Sequence, residues 1–492
     1  MRLAFDPQPR LDCPAIEDIP LNLNCRDEII PLLRALQHLY SDTKARQELL
    51  RLVGLDVNGK TSAKHGRKGM NYWQIVVLAG ARLGCGLDYD KLQDLAEEHR
   101  KLRWLMGLGD WDEQVDFDWR CIRDNVCKLR PQTIERLNQV LVGVGHRLQP
   151  EAVQSIRIDS FVTETNIHYP TDSSLLGDGL RKILDLAVAL ARTHGVSGWR
   201  QHQHWRKKIQ QQLRHLNRVG RKKQPHAPAL RRGYQELLAM ADELLDRSGT
   251  LLLTVQLRLG RPQTMETLTG CARELAHYRK LTAQVCTQAR RRVLQGETVP
   301  HTEKIFSIFE PETELINKGK QPQPIQFGHQ VLVAEDSVGL IVYYEVMGNG
   351  VTDAARAVPV VKELQKRYGK KVQRVSFDRG FHSPENQEEL ARLLAEPCLP
   401  AKGAEQGRRQ QQEASVAFRE ARQNHPGVES AIGALQRGND MERCRDRTYQ
   451  GYQRYIGLGV LGRNLLVLGK LLIARENATC AAATSKRKRR AG

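Results

Sequence analysis

A helical stretch of about 125 residues, at 174–298, separates the first predicted strand of a β-framework from the strands that follow it. Before this stretch, residues 155–159 form an apolar-flanked segment typical of a strand, and the segment ends in an aspartate. After it, alternating apolar residues on both sides of a turn predict a hairpin over 330–346, and a further strand over 372–378 again ends in an aspartate. The pattern therefore predicts one β-framework into which a helical region is inserted.

The order of the remaining elements limits the number of folds that fit the sequence. Helical periodicity over 353–368, 384–394 and 428–437 alternates with the strand at 372–378 and a short strand at 397–400. This succession is that of an RNase H-like core, in which the first and fourth strands lie side by side. The predicted fold class is α/β: an RNase H-like catalytic core with a mixed five-stranded sheet and helices, interrupted by the large helical insertion, together with an all-α N-terminal domain.

The sequence predicts an N-terminal helical segment at 1–60 and a helical domain of the DNA-binding type at 61–150. The first part of the core follows at 151–173, and a basic helical insertion at 174–300. The remainder of the core, with a C-terminal helix, covers 301–475, and a basic disordered tail covers 476–492. Short helices with apolar faces in the second segment fit a helix-turn-helix arrangement, and they fit a packing or dimerisation bundle equally well.

Three acidic residues are the candidate catalytic and metal-binding groups. Asp159 and Asp378 end the two strands, and Glu429 lies in the helix at 428–437. Mg²⁺ takes oxygen ligands, and carboxylates that hold two such ions can promote phosphoryl transfer. A strand-end aspartate is also a common turn former, and a glutamate in a first helical turn also complements the helix dipole. Glu442 is the rival for the third position, but it lies among arginines and has the pattern of an ion-pair partner.

The charge of the chain points to a polyanionic partner. The formal net charge is +20, and the fifty residues from 186 to 235 contain twelve Lys or Arg and no Asp or Glu. Because solvated helix faces usually mix both signs, this segment favours a phosphate-binding surface over a merely solvated one. The candidate DNA-binding residues are Arg206, Lys207, Lys208, Arg214, Arg218, Arg221, Lys222 and Lys223, together with Arg437 on the helix of Glu429.

The ten cysteines are scattered without metal-binding spacing, which favours free thiols in a reducing compartment. The longest apolar stretch, 455–473, is interrupted by Arg463, Asn464 and Lys470, so we expect no membrane span. No secretory signal is visible at the N-terminus. These features predict a cytoplasmic protein.

The strings at 158–173, 376–383 and 428–437 resemble the three catalytic blocks of bacterial insertion-sequence DDE transposases, and among these enzymes the chain resembles the ISNCY family. Residues 71–142 resemble the helical N-terminal domain of these enzymes. The resemblance implies an endonuclease that binds the terminal inverted repeats of its element, cleaves the ends by hydrolysis, and transfers the 3′-hydroxyls to target DNA. It implies Mg²⁺, with Mn²⁺ as a substitute, and the triad Asp159, Asp378 and Glu429.

The same resemblance implies double-stranded DNA as the partner and a homodimer or larger assembly in the synaptic complex, within the bacterial cytoplasm at the nucleoid. The terminal-base contacts are not implied, because the Tyr-Arg-Glu-Lys string of some related transposases is absent and Gln436 stands seven residues after Glu429. Two alternatives stay open: an RNase H-like DNA nuclease, and a catalytically inactive DNA-binding regulator derived from a transposase. The helical N-terminal region and the basic insertion favour the transposase.

Overall fold

The computed structural model describes residues 10–59, 69–112, 117–220, 227–258, 270–317, 325–401 and 413–491. The chain is a mixed α/β protein that divides into two compact units. The first, here called the sheet unit, contains Met1–Glu164 and His329–Gly492. The second, here called the helical unit, contains Thr165–Gly328.

In the part of the chain that the structure describes, seven α-helices precede the first strand. Side-chain caps begin several of them: Asp42, Asn71 and Asp88 each accept a backbone N–H from the first helical turn. The helices are α1 (Ile29–Ser41), α2 (Thr43–Asn58), α3 (Tyr72–Gly84), α4 (Tyr89–Glu98), α5 (Arg100–Leu105), α6 (Trp119–Val126) and α7 (Pro131–Leu148).

Over the described ranges the sheet has seven strands, whereas the sequence predicts five. The strands are β1 (Ser155–Thr165), β2 (Glu314–Asn317), β3 (Ile325–Asp336), β4 (Ile341–Val346), β5 (Arg374–Phe377), β6 (Glu396–Cys398) and β7 (Arg443–Cys444). Their order is β2-β3-β1-β5-β6, with β4 also paired to β3 and β7 to β1. The two strands that the sequence does not predict, β2 and β7, have four and two residues, too few to show an alternating pattern.

The predicted hairpin is confirmed as the antiparallel pair β3–β4. Asp336 closes its turn, because its Oδ1 accepts hydrogen bonds from the backbone N–H groups of Val338 and Leu340. Gly339 in this turn has a φ of 95°, a conformation that L side chains rarely adopt. Elsewhere β1–β5 and β5–β6 are parallel, so the sheet is mixed as predicted.

Within the described residues, four long helices occupy the region that the sequence predicts to be a helical insertion, and they belong to the helical unit, which also contains β2. They are α8 (Asp172–Thr193), α9 (His202–Gly220), α10 (Ala227–Arg258) and α11 (Gly270–Ala289). Apolar residues from all four share buried clusters. Asp172 is buried among them and accepts hydrogen bonds from Gln288 and Arg292.

Among the described residues, five further α-helices belong to the sheet unit: α12 (Asp353–Tyr368), α13 (Pro384–Leu393), α14 (Val416–Asn424), α15 (Pro426–Arg437) and α16 (Tyr449–Ala491). The sequence predicts the last of them to run over 452–473 and a disordered tail to follow. In the structure the helix begins at Tyr449 and continues to Ala491, so it includes the residues assigned to that tail.

The two faces of the sheet pack against different helices. Ile156 and Ile158 of β1 and Phe377 of β5 share a core with α12 and α13. On the opposite face, Phe161 of β1 shares a core with α15, α16 and the N-terminal helices. This alternation follows from the two-residue period of a strand. It also means that the N-terminal helices share their core with the sheet rather than forming a separate one.

Helix α16 is the central element of that shared core, and α1, α3 and α7 all pack against it. By length and composition, its segment Tyr449–Ala482 could cross a membrane, the only such helix among the described residues. However, 78% of its most apolar window is buried inside the protein, as in the core helix of a soluble protein. The apolar character of α16 is therefore explained by packing.

Asn464 of α16 provides a test of this packing. Its Oδ1 accepts from the Ile341 N–H, and its Nδ2 donates to the Ile341 carbonyl and to Asn138 Oδ1. We expect Asn464→Leu to lower the free energy of unfolding by about 2–4 kcal/mol, because it leaves buried backbone groups of β4 unsatisfied. Urea unfolding followed by circular dichroism measures the change. Asn477→Leu, on an exposed part of the same helix, is the control; an equal loss in both variants would contradict the assigned role.

Candidate metal centre

The pairing of β1 with β5 brings the two predicted aspartates together. The strands are parallel, and their register runs from Ser155 opposite Arg374 to Ile158 opposite Phe377. Asp159 is the next residue of β1, and Asp378 directly follows β5 with its backbone still extended. Neighbouring strands lie about 4.8 Å apart. The two aspartates, distant in sequence, therefore occupy adjacent positions at the same level of the sheet.

Both aspartates belong to the face of the sheet that carries α15. Arg157 and Ser376 lie two residues before Asp159 and Asp378 on their strands. Arg157 Nη1 donates to the Asn424 carbonyl at 3.2 Å, and Ser376 Oγ lies 3.0 Å from His425 Nδ1. Asn424 and His425 immediately precede α15. Because side chains two residues apart in a strand point to the same face, Asp159 and Asp378 follow Arg157 and Ser376 on this side.

Helix α15 runs alongside β1 and carries Glu429 towards the level of Asp159. Its second residue, Gly427, contacts Arg157, and near its other end Gln436 Nε2 donates to the Val162 carbonyl at 3.4 Å. With a rise of about 1.5 Å per helical residue and about 3.3 Å per strand residue, Glu429 falls about one strand residue beyond Arg157, next to the level of Asp159. The neighbouring Val428 is buried in the core, whereas Glu429 itself is exposed.

Glu442 lies at the other end of the same strand. Its carbonyl accepts a hydrogen bond from the Glu164 N–H at 2.9 Å, and the following residue, Arg443, pairs with the Glu164 carboxylate. Glu164 is five residues beyond Asp159, or about 16 Å along an extended strand. This geometry favours Glu429 over Glu442 as the third carboxylate.

The three carboxylates do not form a closed coordination shell. Within the part of the chain that the structure describes, no group of three His, Cys, Asp or Glu side chains is close enough to hold a metal ion. The structure brings Asp159 and Asp378 to adjacent positions and places Glu429 on a helix over the same face. The donors are oxygen atoms only, which suits Mg²⁺ or Mn²⁺ rather than a metal that prefers sulfur.

Asp353 is a fourth carboxylate near the strand ends, and sequence reasoning missed it. Gln330 Nε2 donates both to Asp353 Oδ1 at 2.6 Å and to Ser160 Oγ at 2.7 Å, which connects Asp353 to the neighbour of Asp159. A Cβ added to Gly380, two residues after Asp378, would lie 3.4 Å from Asp353 Oδ2. The sequence shows Asp353 only as an acidic residue at a helix start, a position that usually reflects the helix dipole.

His425 is a neutral group beside this face. Burial lowers the pKa of its imidazole to about 4; Arg422 lowers the pKa further, and Asp378 opposes both effects. At neutral pH the imidazole is therefore uncharged and adds no positive charge near Asp378.

The predicted DNA-binding residues of α9 differ in their surroundings. The buried face of this helix carries Trp205, Ile209, Leu216 and Val219. Arg206 pairs with Asp185 of α8, and Lys208 lies 5.6 Å from the centre of the Trp205 ring. Lys207, Arg214 and Arg218 are exposed on the opposite face, without an acidic partner among the described residues. The remaining predicted residues of this segment, Arg221, Lys222 and Lys223, lie outside the described ranges.

Arg437 lies on the same exposed face of α15 as Glu429. Its guanidinium folds back over Gly433, where an added Cβ would lie 3.1 Å from Arg437 Nη2. Gly433 is one turn after Glu429, so the guanidinium is held within about two turns of the candidate metal ligands. A cation in this position can contact a phosphate that approaches the carboxylates.

Comparison of the chain with protein-family models, with curated proteins and with solved structures gave no match. The assignment of the candidate site therefore depends on the residues of this chain and on their geometry.

The adjacency of the two aspartates has a measurable consequence for stability. Like charges directly opposite each other on neighbouring strands are destabilising, and Asp378 makes no side-chain cap to the short helical turn that follows it. In the presence of EDTA, we expect Asp378→Asn to raise the free energy of unfolding by about 0.5–1 kcal/mol. Urea unfolding at low and high salt measures the gain, which should shrink as salt screens the repulsion. Glu442→Gln should leave stability unchanged. A loss of stability in Asp378→Asn would contradict the proximity of the two carboxylates.

Proposed function

We propose that this protein is a DDE transposase that binds the terminal inverted repeats of its element, cleaves the DNA ends by metal-dependent hydrolysis, and transfers the 3′-hydroxyl ends to target DNA. The observation that carries the proposal is the parallel register of β1 and β5, which makes Asp159 and Asp378 neighbours beneath the helix of Glu429. The similarity of the surrounding strings to the catalytic blocks of these enzymes supports the same assignment.

The order of the strands supports an RNase H-like core. If β2 and β7 are set aside, the five remaining strands follow the order β4-β3-β1-β5-β6, so the first and fourth strands of the core, β1 and β5, are neighbours. The long helical region leaves the core after β1 and returns before β3. Helix α15, after the last core strand, contributes the third carboxylate, as this fold requires of a late helix.

Asp159, Asp378 and Glu429 would hold Mg²⁺ or Mn²⁺, which when bound supplies an activated attacking oxygen and neutralises charge on the leaving oxygen. Arg437 would contact the phosphate next to the scissile bond from the same helix face as Glu429. Because the imidazole of His425 is uncharged at neutral pH, it does not oppose the binding of a cation by the carboxylates.

The partner that we propose is double-stranded DNA. The exposed basic face of α9 has the charge that phosphate contacts require, and the described part of that helix contains no acidic residue. Strand transfer requires two element ends to be held together, which implies a homodimer or a larger assembly. We place this activity in the bacterial cytoplasm, at the nucleoid.

The carboxylates provide the direct test of catalysis. We expect Asp378→Asn to abolish Mg²⁺-dependent cleavage of a duplex that carries the element end, because the variant lacks one metal ligand, and to retain DNA binding. Cleavage and strand joining are followed on labelled DNA in gels, and binding by fluorescence anisotropy. Glu442→Gln, at the far end of β1, should cleave as well as the unaltered protein.

The outcomes separate the three candidate functions. Cleavage followed by joining to target DNA supports the transposase. Cleavage of any duplex without joining supports an RNase H-like nuclease, and end-specific binding without cleavage supports a regulator. Unchanged cleavage by Asp378→Asn would contradict the metal site.

The basic face of α9 provides a test of the DNA surface. We expect the triple variant Lys207→Gln/Arg214→Gln/Arg218→Gln to bind all duplexes more weakly and to reduce the slope of log affinity against log salt by about 2–3, since each lost phosphate contact removes about 0.9. Arg206→Gln is the matched control, because Arg206 pairs with Asp185 and should not contribute to the slope. Equal salt slopes for the triple variant and the unaltered protein would show that DNA binds elsewhere.

A further inference from the structure

Arg157 holds three separate segments of the sheet unit together. Its Nη1 donates to the Asn424 carbonyl at 3.2 Å, and its Nη2 donates to the Asp336 carbonyl at 2.9 Å. Nη2 also pairs with the Glu335 carboxylate at 2.9 Å. One guanidinium on β1 thus contacts the end of β3 and the turn that leads into α15. A planar group with several donors in fixed directions suits such a junction better than a lysine would.

This ion pair is costly to bury. Only 16% of the Arg157 side chain and 3% of the Glu335 side chain are exposed. Burial raises the pKa of the Glu335 carboxyl to about 7, although Arg157 and Arg463 both oppose the rise. Buried ion pairs are often no more stabilising than apolar residues of similar size. Stability alone is therefore a weak reason for an arginine at this position, two residues before Asp159.

Gly427 is the counterpart of Arg157 on α15. A Cβ at this position would lie 2.6 Å from Arg157 Cζ, and closer still to Nη1. Gly427 is the second residue of α15. Because it has no side chain, the guanidinium of Arg157 can approach the backbone closely here. The contact fixes how near the start of α15 comes to β1, and Glu429 follows two residues later.

We propose that Arg157 and Gly427 form a lock that sets the position of Glu429 relative to Asp159 and Asp378. Arg157 is then a positioning residue of the metal centre, an assignment that rests on the proposed function because it needs Glu429 to be a metal ligand. The hydrogen bond between Ser376 and His425 supports the lock from β5, two residues before Asp378.

The test measures binding of Mn²⁺ alone to the full chain, from the electron paramagnetic resonance signal of the free ion. We expect Gly427→Ala to weaken Mn²⁺ binding about tenfold, as is typical when residues that orient metal ligands are changed. The new methyl group pushes the start of α15, and with it Glu429, away from β1. Gly143→Ala is the matched control: Gly143 is also a helical glycine, in α7, but an added Cβ meets no atom within 4 Å, so Mn²⁺ affinity should not change.

A double-mutant cycle distinguishes positioning from general damage to the fold. If Gly427 acts through Glu429, Gly427→Ala should add little to the effect of Glu429→Gln, since the displaced ligand is already absent. Additive losses would contradict the lock. Arg157→Lys keeps a positive charge for Glu335 but has fewer donors; it should weaken Mn²⁺ binding by itself and make room for the alanine. The double variant Arg157→Lys/Gly427→Ala should therefore bind Mn²⁺ no worse than Gly427→Ala.

Failure of the lock and failure of the proposed function give different results. If the unaltered protein binds Mn²⁺ and Glu429→Gln weakens binding, but Gly427→Ala and Arg157→Lys do not, the lock is wrong and the metal site stands. If the unaltered protein binds no Mn²⁺, both are wrong. If Gly427→Ala does not fold, Arg157→Lys decides the outcome, and unchanged Mn²⁺ affinity in that variant would overturn the lock.

Discussion

Backbone hydrogen bonds between β1 and β5 place the ends of two distant chain segments side by side. The two strands pair in parallel, and an aspartate follows the last registered residue on each. A shift of one residue in this register would move one carboxylate to the opposite face of the sheet, away from α15. The apolar residues of the same strands, such as Ile158 and Phe377, are buried against α12 and α13 and hold the register in place. The packing of these apolar residues therefore determines on which face of the sheet Asp159 and Asp378 lie.

The position of Glu429 depends on a second set of contacts, made by α15. Its apolar residues, including Val428 and Leu435, join the core that also contains α16 and the N-terminal helices. Arg157 and Ser376 then fix the start of the helix from the two strands that carry the aspartates. This arrangement retains costly features: a buried ion pair, a glycine in the first turn of a helix, and two adjacent carboxylates. Such features reduce stability and are typical of sites kept for function.

Local pattern was enough to predict many elements, but not their long-range contacts. Helix α12 has the bounds that the sequence predicts, and the hairpin β3–β4 lies where alternation and turn residues place it. In contrast, β7 has two residues and is defined by its pairing with β1, which no local pattern reveals. The end of α16 was predicted too early, because the residues beyond 473 lack the apolar pattern on which that prediction depended.

In the candidate site, too, local pattern predicts the residues but not their long-range contacts. The chemical type of Asp159, Asp378 and Glu429 and their places on strands and a helix follow from the sequence. The contact between Gly427 and Arg157 joins residues 270 positions apart, and the position of Asp353 near Gly380 depends on how α12 packs. Glu429 and Glu442 are separated by only thirteen residues, and their distance from Asp159 becomes clear only from the direction of α15 along β1. Tertiary packing therefore distinguishes Glu429 from Glu442 as the candidate third carboxylate.

Localised cleavage of the polypeptide by bound iron would test whether Asp159, Asp378 and Glu429 share one metal site. Fe²⁺ replaces Mg²⁺ in the purified protein, and ascorbate with peroxide generates radicals that cut the backbone next to the ion. Mass spectrometry then locates the cuts. We predict cuts at three places, near 159, 378 and 429, all suppressed by excess Mg²⁺ and absent in Asp378→Asn. Cuts near 442 without cuts near 429, or no cut near 159 and 378, would contradict the account.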